Sequence, residues 1–403
     1  MRTKTYSLKI AILISFLIVI GTISQIEIAN GKNNILQYQD IPRLPSSNLL
    51  PYRQVLRPND EGSHKGKNNF TMTQEWWYFN AYFNEPDSEL NNWSIMISFN
   101  QMGVADIYFF TLYDDENISY GGSLPDTSGT IQSGGPGVKV EFYNSYVVGC
   151  YPIWHIYARD YGLDENKILV NITYKAKALP LWLLFNTGHN MPLSPAGHYC
   201  ILNCEVSGEI TINEITYNVH GVGYHEHSWF KFFNKQNKQD PMSRMRHPQI
   251  NFQDIVDVWD WFCIHFDNGW DMFAGKFLQS SKLARFMPGS LWITPDGKNI
   301  TECFFFKFKY LEFIESSVES IKIPKKIHIQ AIFLNMLIKN PLKGLIKLDV
   351  VIKTKNIYEH LWGDPPQYGV WEGPCNINGT ISWQGHTVHL NGWSIMEITR
   401  AVS

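Results

Sequence analysis

Three short segments place imidazole, carboxylate and indole at alternate positions, a pattern from which acid–base chemistry at an apolar surface can be built. In Glu75-Trp76-Trp77-Tyr78, the period of a strand sends Glu75 and Trp77 to one side and Trp76 and Tyr78 to the other. That carboxylate could touch a ligand at a barrel mouth or accept a structural hydrogen bond. In the segment 221–229, His225, His227 and Trp229 share one face, and Tyr224, Glu226 and Ser228 the other. Two imidazoles and an indole on one wall could floor a reactive pocket. The same pair could bind a metal with His189, His198 or His220 as a further donor, but no spacing selects that donor, so the reading carries no metal and no cofactor.

The third segment, 259–266, puts Asp260 in phase with Phe262, Ile264 and Phe266. If that face points inward, burial disfavours the ionised carboxylate and makes Asp260 a usable proton donor. If it points outward, Asp260 only interrupts an exposed apolar row. Asp260 is thus a candidate acid, and Glu75, Trp77, Tyr78, Tyr224, His225, His227, Trp229, Trp259 and Trp261 are candidate pocket residues. No nucleophile elbow, phosphate loop, dinucleotide fingerprint or HExxH pattern is present, which leaves serine hydrolysis and nucleotide chemistry without support.

These residues need a rigid β frame, and the chain supplies the signals for one. Short β-type runs at 76–83, 93–99, 107–113, 138–142, 154–158 and 168–174 are separated by turn residues, as in a sandwich or barrel. Asn268-Gly269, Asp296-Gly297, Asn378-Gly379 and Asn391-Gly392 lie between apolar runs and read as hairpin turns, so the sheets are expected to be antiparallel. Only 327–348 has a helical reading, interrupted by Pro341 and Gly344.

Aromatic residues make up 14% of the 403 residues and charged residues only 18%, a balance that suits β surfaces walling an apolar pocket. A formal net charge of -3 offers no field for a polyanion, so the expected partner is a hydrophobic small molecule or lipid and not nucleic acid. Lys325, Lys326, Lys353 and Lys355 could touch an anionic membrane or simply form a solvated face.

Arg2, Lys4 and Lys9 precede an apolar run at 10–20, so 1–26 reads as a signal peptide or an N-terminal anchor and the rest as extracytoplasmic. Six sequons suit that route, and the six cysteines permit up to three disulfides. The Pro-punctuated stretch 27–68 reads as a polar linker or surface arm. A division within the polar stretch 234–253 separates two β units, 69–235 and 236–403.

With Glu-Trp-Trp-Tyr at 75–78, Gly-Tyr-His-Glu-His-Ser-Trp at 223–229, Trp-Asp-Trp at 259–261 and the closing Val370-Trp371-Glu372-Gly373 and 392–399 segments, the chain resembles the carotenoid 1,2-hydratase (hydroxyneurosporene synthase) and AttH-like superfamily. The resemblance spans about 74–401. It implies an all-β fold of two consecutive lipocalin-like antiparallel β-barrel domains. It also implies a hydro-lyase that adds water across an isoprenoid alkene without a redox cofactor. On that pattern Asp260 would be the acid, His227 would orient or deprotonate the water, and Trp229, Trp259 and Trp261 would stabilise the cation. The sequence departs from the family pattern at Glu226, Ser228, Phe230 and Val258. Pericyclases of the same superfamily, and a lipocalin-like carrier that leaves its ligand unchanged, are the alternative readings.

Overall fold

The computed structural model describes residues 55–64, 72–102, 105–116, 118–127, 129–162, 166–182, 196–232, 259–277, 289–303, 306–318, 321–334, 345–363 and 366–401. Apart from a single-turn helix, α1 (Pro58–Glu61), the described elements are strands. The first sheet comprises β1 (Met72–Phe83), β2 (Ser94–Gln101), β3 (Ala105–Tyr113), β4 (Ser119–Thr127), β5 (Gln132–Gly134), β6 (Val138–Phe142), β7 (Ser145–Cys150), β8 (Ile153–Arg159), β9 (Ile168–Ala176), β10 (Leu181–Trp182), β11 (Ala196–Ile212) and β12 (Ile215–Phe232). The second comprises β13 (Trp259–Phe266), β14 (Asp271–Phe277), β15 (Gly289–Thr294), β16 (Thr301–Cys303), β17 (Phe306–Glu315), β18 (Lys322–Leu334), β19 (Leu345–Thr354), β20 (Tyr358–Gly363), β21 (Pro366–Trp383) and β22 (His386–Ala401).

The first sheet runs β4-β3-β2-β1-β12-β11-β9-β8-β7-β6-β5 and the second β16-β15-β14-β13-β22-β21-β19-β18-β17, with β10 on β11 and β20 on β21. The pairings at the centre of each are antiparallel. Each sheet curls into a half-barrel around its own apolar core, so the all-β, two-barrel expectation holds.

The two half-barrels meet on the outer faces of their central strands. Trp76, Tyr78, Asn80 and Tyr82 of β1 and Tyr224, Glu226 and Ser228 of β12 face the second sheet. Trp259, Trp261, Cys263 and His265 of β13 and Trp393, Ile395 and Glu397 of β22 face back. Asn80 Nδ2 lies 3.0 Å from Cys263 Sγ, Trp261 Nε1 donates to Tyr224 Oη at 3.3 Å, and the Tyr82 and Trp393 rings stack at 4.9 Å. Strands at this junction are covered on both faces: β2 is buried at every position, whereas β9 and β19 keep the alternation of a half-exposed strand.

Several local expectations need correction. Asn268-Gly269 and Asp296-Gly297 do join paired strands, β13 to β14 and β15 to β16. Asn378-Gly379 and Asn391-Gly392 do not turn the chain; they lie inside β21 and β22, with Asn378 opposite Asn391. Their glycines serve close strand approach, because a Cβ would come within 2.2 Å of the Asp349 carbonyl oxygen at Gly379 and of the His265 carbonyl oxygen at Gly392. The actual turn is Gln384-Gly385, both at positive φ (50° and 83°).

The helical reading of 327–348 fails where it is described, since Ile327 and its neighbours belong to β18 and 345–348 to β19. The arm reading is corrected for 58–61: Glu61 is 1% exposed, its carboxylate accepting from Tyr151 N and Trp154 Nε1. The six cysteines are free thiols, five of them buried, so none of the disulfides their number permits is formed. The N-terminal segment 1–26, most of the arm and the division at 234–253 lie outside the described residues.

Candidate functional site

Between the half-barrels lies a partly open cavity of about 50 Å³ whose wall includes Trp76, Tyr78, Phe109, Trp259, Glu372 and Glu397. Trp76 and Trp259, one from each sheet, stack at 6.3 Å. Register alone brings the acids together: Glu372 of β21 stands opposite Glu397 of β22, which stands beside Trp261 of β13. Across the junction, Tyr78 of β1 pairs with Glu226 of β12.

The carboxyls are held by donors that do not carry a charge. Glu226 accepts from Trp76 Nε1 at 3.1 Å and from the Tyr224 hydroxyl. Glu397 accepts from Trp259 Nε1, and Glu372 stands opposite it across β21 and β22. Burial pushes Glu372 up to about 8, and the hydrogen bonds from Glu397 and Tyr78 recover only part of that cost. Burial likewise raises Glu226 and Glu397, and the neighbouring carboxylate reinforces each rise. His360 Nε2 lies 3.3 Å from Glu372 Oε2 without the alignment of a hydrogen bond. Burial holds His360, and His198 beside Glu226, down at about 3, so neither supplies a cation at neutral pH. Neutral carboxylic acids facing aromatic walls can deliver a proton to a bound molecule.

The expected site residues divide between two places. Tyr78 and Trp259 line the cavity, and Tyr224 and Trp261 stand behind it through Glu226. Glu75, Trp77, His225, His227 and Trp229 occupy the opposite face of β1 and β12, inside the first half-barrel. There Glu75 Oε1 takes His227 Nε2 at 3.0 Å and His64 Nδ1 at 2.8 Å. Burial would raise Glu75, but hydrogen bonds and charge from His227 and His64 outweigh it and hold the group at about 2.

Asp260 requires the main correction. Its face does point inward and it is fully buried, but into the second half-barrel, where Arg400 Nη2 binds Oδ1 at 2.7 Å and the Tyr310 hydroxyl donates to Oδ2. It is an ion-pair partner on the far side of β13, not an isolated acid beside His227. The reason is that Arg400, 140 positions away, enters only through the β13–β22 pairing.

The histidine pair considered for metal binding also divides. His225 spends its ring nitrogens on the Tyr78 carbonyl at 3.1 Å and the Tyr199 hydroxyl at 3.3 Å. His198 faces the junction and His220 lies 3.7 Å from Glu205, while His189 is outside the described residues. The group that gathers instead is His64, Glu75 and His227.

Glu372 and Glu397 were missed as chemistry, although each interrupts an apolar run (Val370-Trp371-Glu372 and Ile395-Met396-Glu397-Ile398) as Asp260 does.

Two back-to-back half-barrels are also the fold of several solved structures of low sequence identity. A putative AttH of Nitrosomonas europaea superposes with a TM-score of 0.58 at 15% identity, over 88% of this chain and 99% of that one. Kievitone hydratase from Nectria haematococca matches with a TM-score of 0.55 at 12% identity, over 86% and 98%. CghA, solved with Sch210972, matches with a TM-score of 0.51 at 11% identity, over 86% and 97%. At these identities the likeness shows the fold alone. No family model matches the sequence, and neither does any curated protein.

Proposed function

We propose that this protein is a hydratase-like lyase that adds water to a carbon–carbon double bond of an apolar, isoprenoid-type ligand, using a neutral carboxylic acid at the seam of its sheets. The observation that carries this reading is the buried pair Glu372–Glu397 at an aromatic-walled cavity, where burial pushes Glu372 up to about 8. The structural likeness to a hydratase is consistent with it.

In the proposed reaction the Glu372 O–H bond breaks and its proton forms a C–H bond at one alkene carbon. The cation left on the other carbon faces the Trp76 and Trp259 rings. A water oxygen forms the C–O bond, and its surplus proton returns to the carboxylate just created. The sum is addition of one water, with no oxidant or reductant.

A cavity of about 50 Å³ admits a reacting group and a small cluster of waters, but not a whole lipid. Export remains part of the proposal: it rests on the N-terminal pattern and on exposed Asn92, Asn171, Asn299 and Asn378 in sequons. No helix among the described residues is long and apolar enough to cross a membrane.

The test is incubation of the purified protein with prenylated aromatics and linear polyenes in ¹⁸O-labelled water, followed by mass spectrometry. A product carrying one labelled water supports the hydratase. An isomer of unchanged mass replaces it with a pericyclase, and recovery of bound, unaltered ligand replaces it with a carrier.

A further inference from the structure

On the opposite face of β1 and β12 from the acid pair, three donors from separate parts of the chain converge. His64 follows α1, Glu75 lies in β1 and His227 in β12. Their ligand atoms all lie within 4.8 Å of one another, and both imidazoles approach the same oxygen, Glu75 Oε1. We propose that His64, Glu75 and His227 form a binding site for a divalent transition-metal ion, with zinc the ion best matched to the donors.

The donor set is two imidazole nitrogens and one carboxylate oxygen, a combination that binds zinc with a further position left for water or a ligand. Bonds of about 2.0–2.1 Å at near-tetrahedral angles put neighbouring donors about 3.3 Å apart. The present N···O separations of 2.8 and 3.0 Å need open by only a few tenths of an ångström. A bound ion takes the place of the protons that His64 Nδ1 and His227 Nε2 direct at Glu75, so affinity should weaken as the pH falls. The ionised Glu75 supplies the one formal negative charge, which offsets part of the charge of the ion.

Each donor is already held in place, which keeps the ordering cost of binding low. The His64 backbone N–H donates to both Glu75 oxygens, at 2.9 Å to Oε1 and 3.0 Å to Oε2, and Ser63 Oγ donates to Oε2 at 3.3 Å, which fixes the carboxylate beside the imidazoles. The His64 ring stacks on Trp229 at 3.7 Å, and the His227 ring on Trp77 at 4.7 Å. Ser63 also lines a polar surface cleft of about 490 Å³, which gives a hydrated ion a route toward the carboxylate. One imidazole comes from β12. The second, from an arm tied down by Glu61 under Trp154 and Tyr151, completes a ligand set.

The experiment is zinc titration of the chelator-treated full chain against a chromophoric competitor, with cobalt(II) as a spectroscopic substitute. One equivalent of zinc should bind, cobalt should give the intense visible bands of a four- or five-coordinate site, and zinc should raise the melting temperature. His64→Ala, in the arm and outside both sheets, should weaken binding by about 100-fold or more and abolish the thermal shift, while the zinc-free protein stays folded. Glu372→Gln should bind zinc normally, which separates this site from the proposed hydratase. Failure to bind a stoichiometric ion overturns the proposal, as does undiminished affinity in His64→Ala.

Discussion

Glu372 and Glu397 face each other across β21 and β22 beside Trp259, whose indole N–H donates to Glu397. Two carboxyls cannot both be ionised in such a contact, so the seam between the sheets stores a proton at neutral pH. That stored proton has consequences for turnover and for stability that can be measured separately.

Glu372→Gln keeps the volume and a donor to Glu397 but removes the transferable proton. Turnover of any substrate found by the labelled-water screen should fall by about 100-fold or more, the scale of a lost general acid. Circular dichroism should be unchanged. Retention of full turnover would remove the acid pair from the mechanism.

Stability should decline on both sides of a weakly acidic optimum. Glu372 binds its proton more tightly when folded, so its contribution is complete below the ordinary 4.5 and is lost as the pH rises toward about 8. Glu61, pushed by burial to about 7, acts in the same direction. His360 and His198, held by burial at about 3, oppose folding as the pH falls from 6.5 toward 3, and Glu75, held at about 2, loses its contribution below 4.5. Melting temperatures taken from pH 5 to 9 should fall toward alkali, and the slope should be shallower in Glu372→Gln. Identical slopes in the two proteins would mean that the carboxyl is already ionised.

Asp260→Asn should affect folding and spare the chemistry. It leaves the Arg400 guanidinium, 16% exposed, and the Tyr310 hydroxyl without their anionic partner. Breaking a largely buried pair from one side costs about 3 kcal/mol, readable in urea melts. A loss of turnover without loss of stability would return Asp260 to the catalytic set.

Gly392→Ala and Gly385→Ala separate close packing from turn strain. At Gly392 a Cβ would lie 2.2 Å from the His265 carbonyl oxygen, so β13 and β22 must part, at a cost of several kcal/mol. At Gly385 the space is open and only the φ of 83° opposes a side chain, for about 1 kcal/mol. Equal losses in thermal melts would contradict the placement of Gly392 inside a strand.

Strand alternation is a local property, and so much of this protein was legible from its residues alone. The period of two put Glu75 with Trp77, His225 with His227 and Trp229, and Asp260 with Phe262, each on the face the structure gives it. The motifs at 75–78, 223–229 and 259–261 marked the central strands of both half-barrels. The turn chemistry of Asn268-Gly269 was equally local. Asn391-Gly392 misled because glycine also answers a crowded strand pairing, which no single strand reveals.

What the tertiary structure decided was which face meets which partner. Asp260 looked like an isolated acid until β22 brought Arg400 to it, and Glu372 and Glu397 had no assigned role until β1 and β13 closed over them. His64 lay in a polar arm with no period at all, yet it reaches Glu75 and His227 because α1 folds under Trp154. A residue type and its phase determine where a side chain points. Burial and charge depend on strands paired across more than a hundred positions, and those pairings exist only in the folded chain.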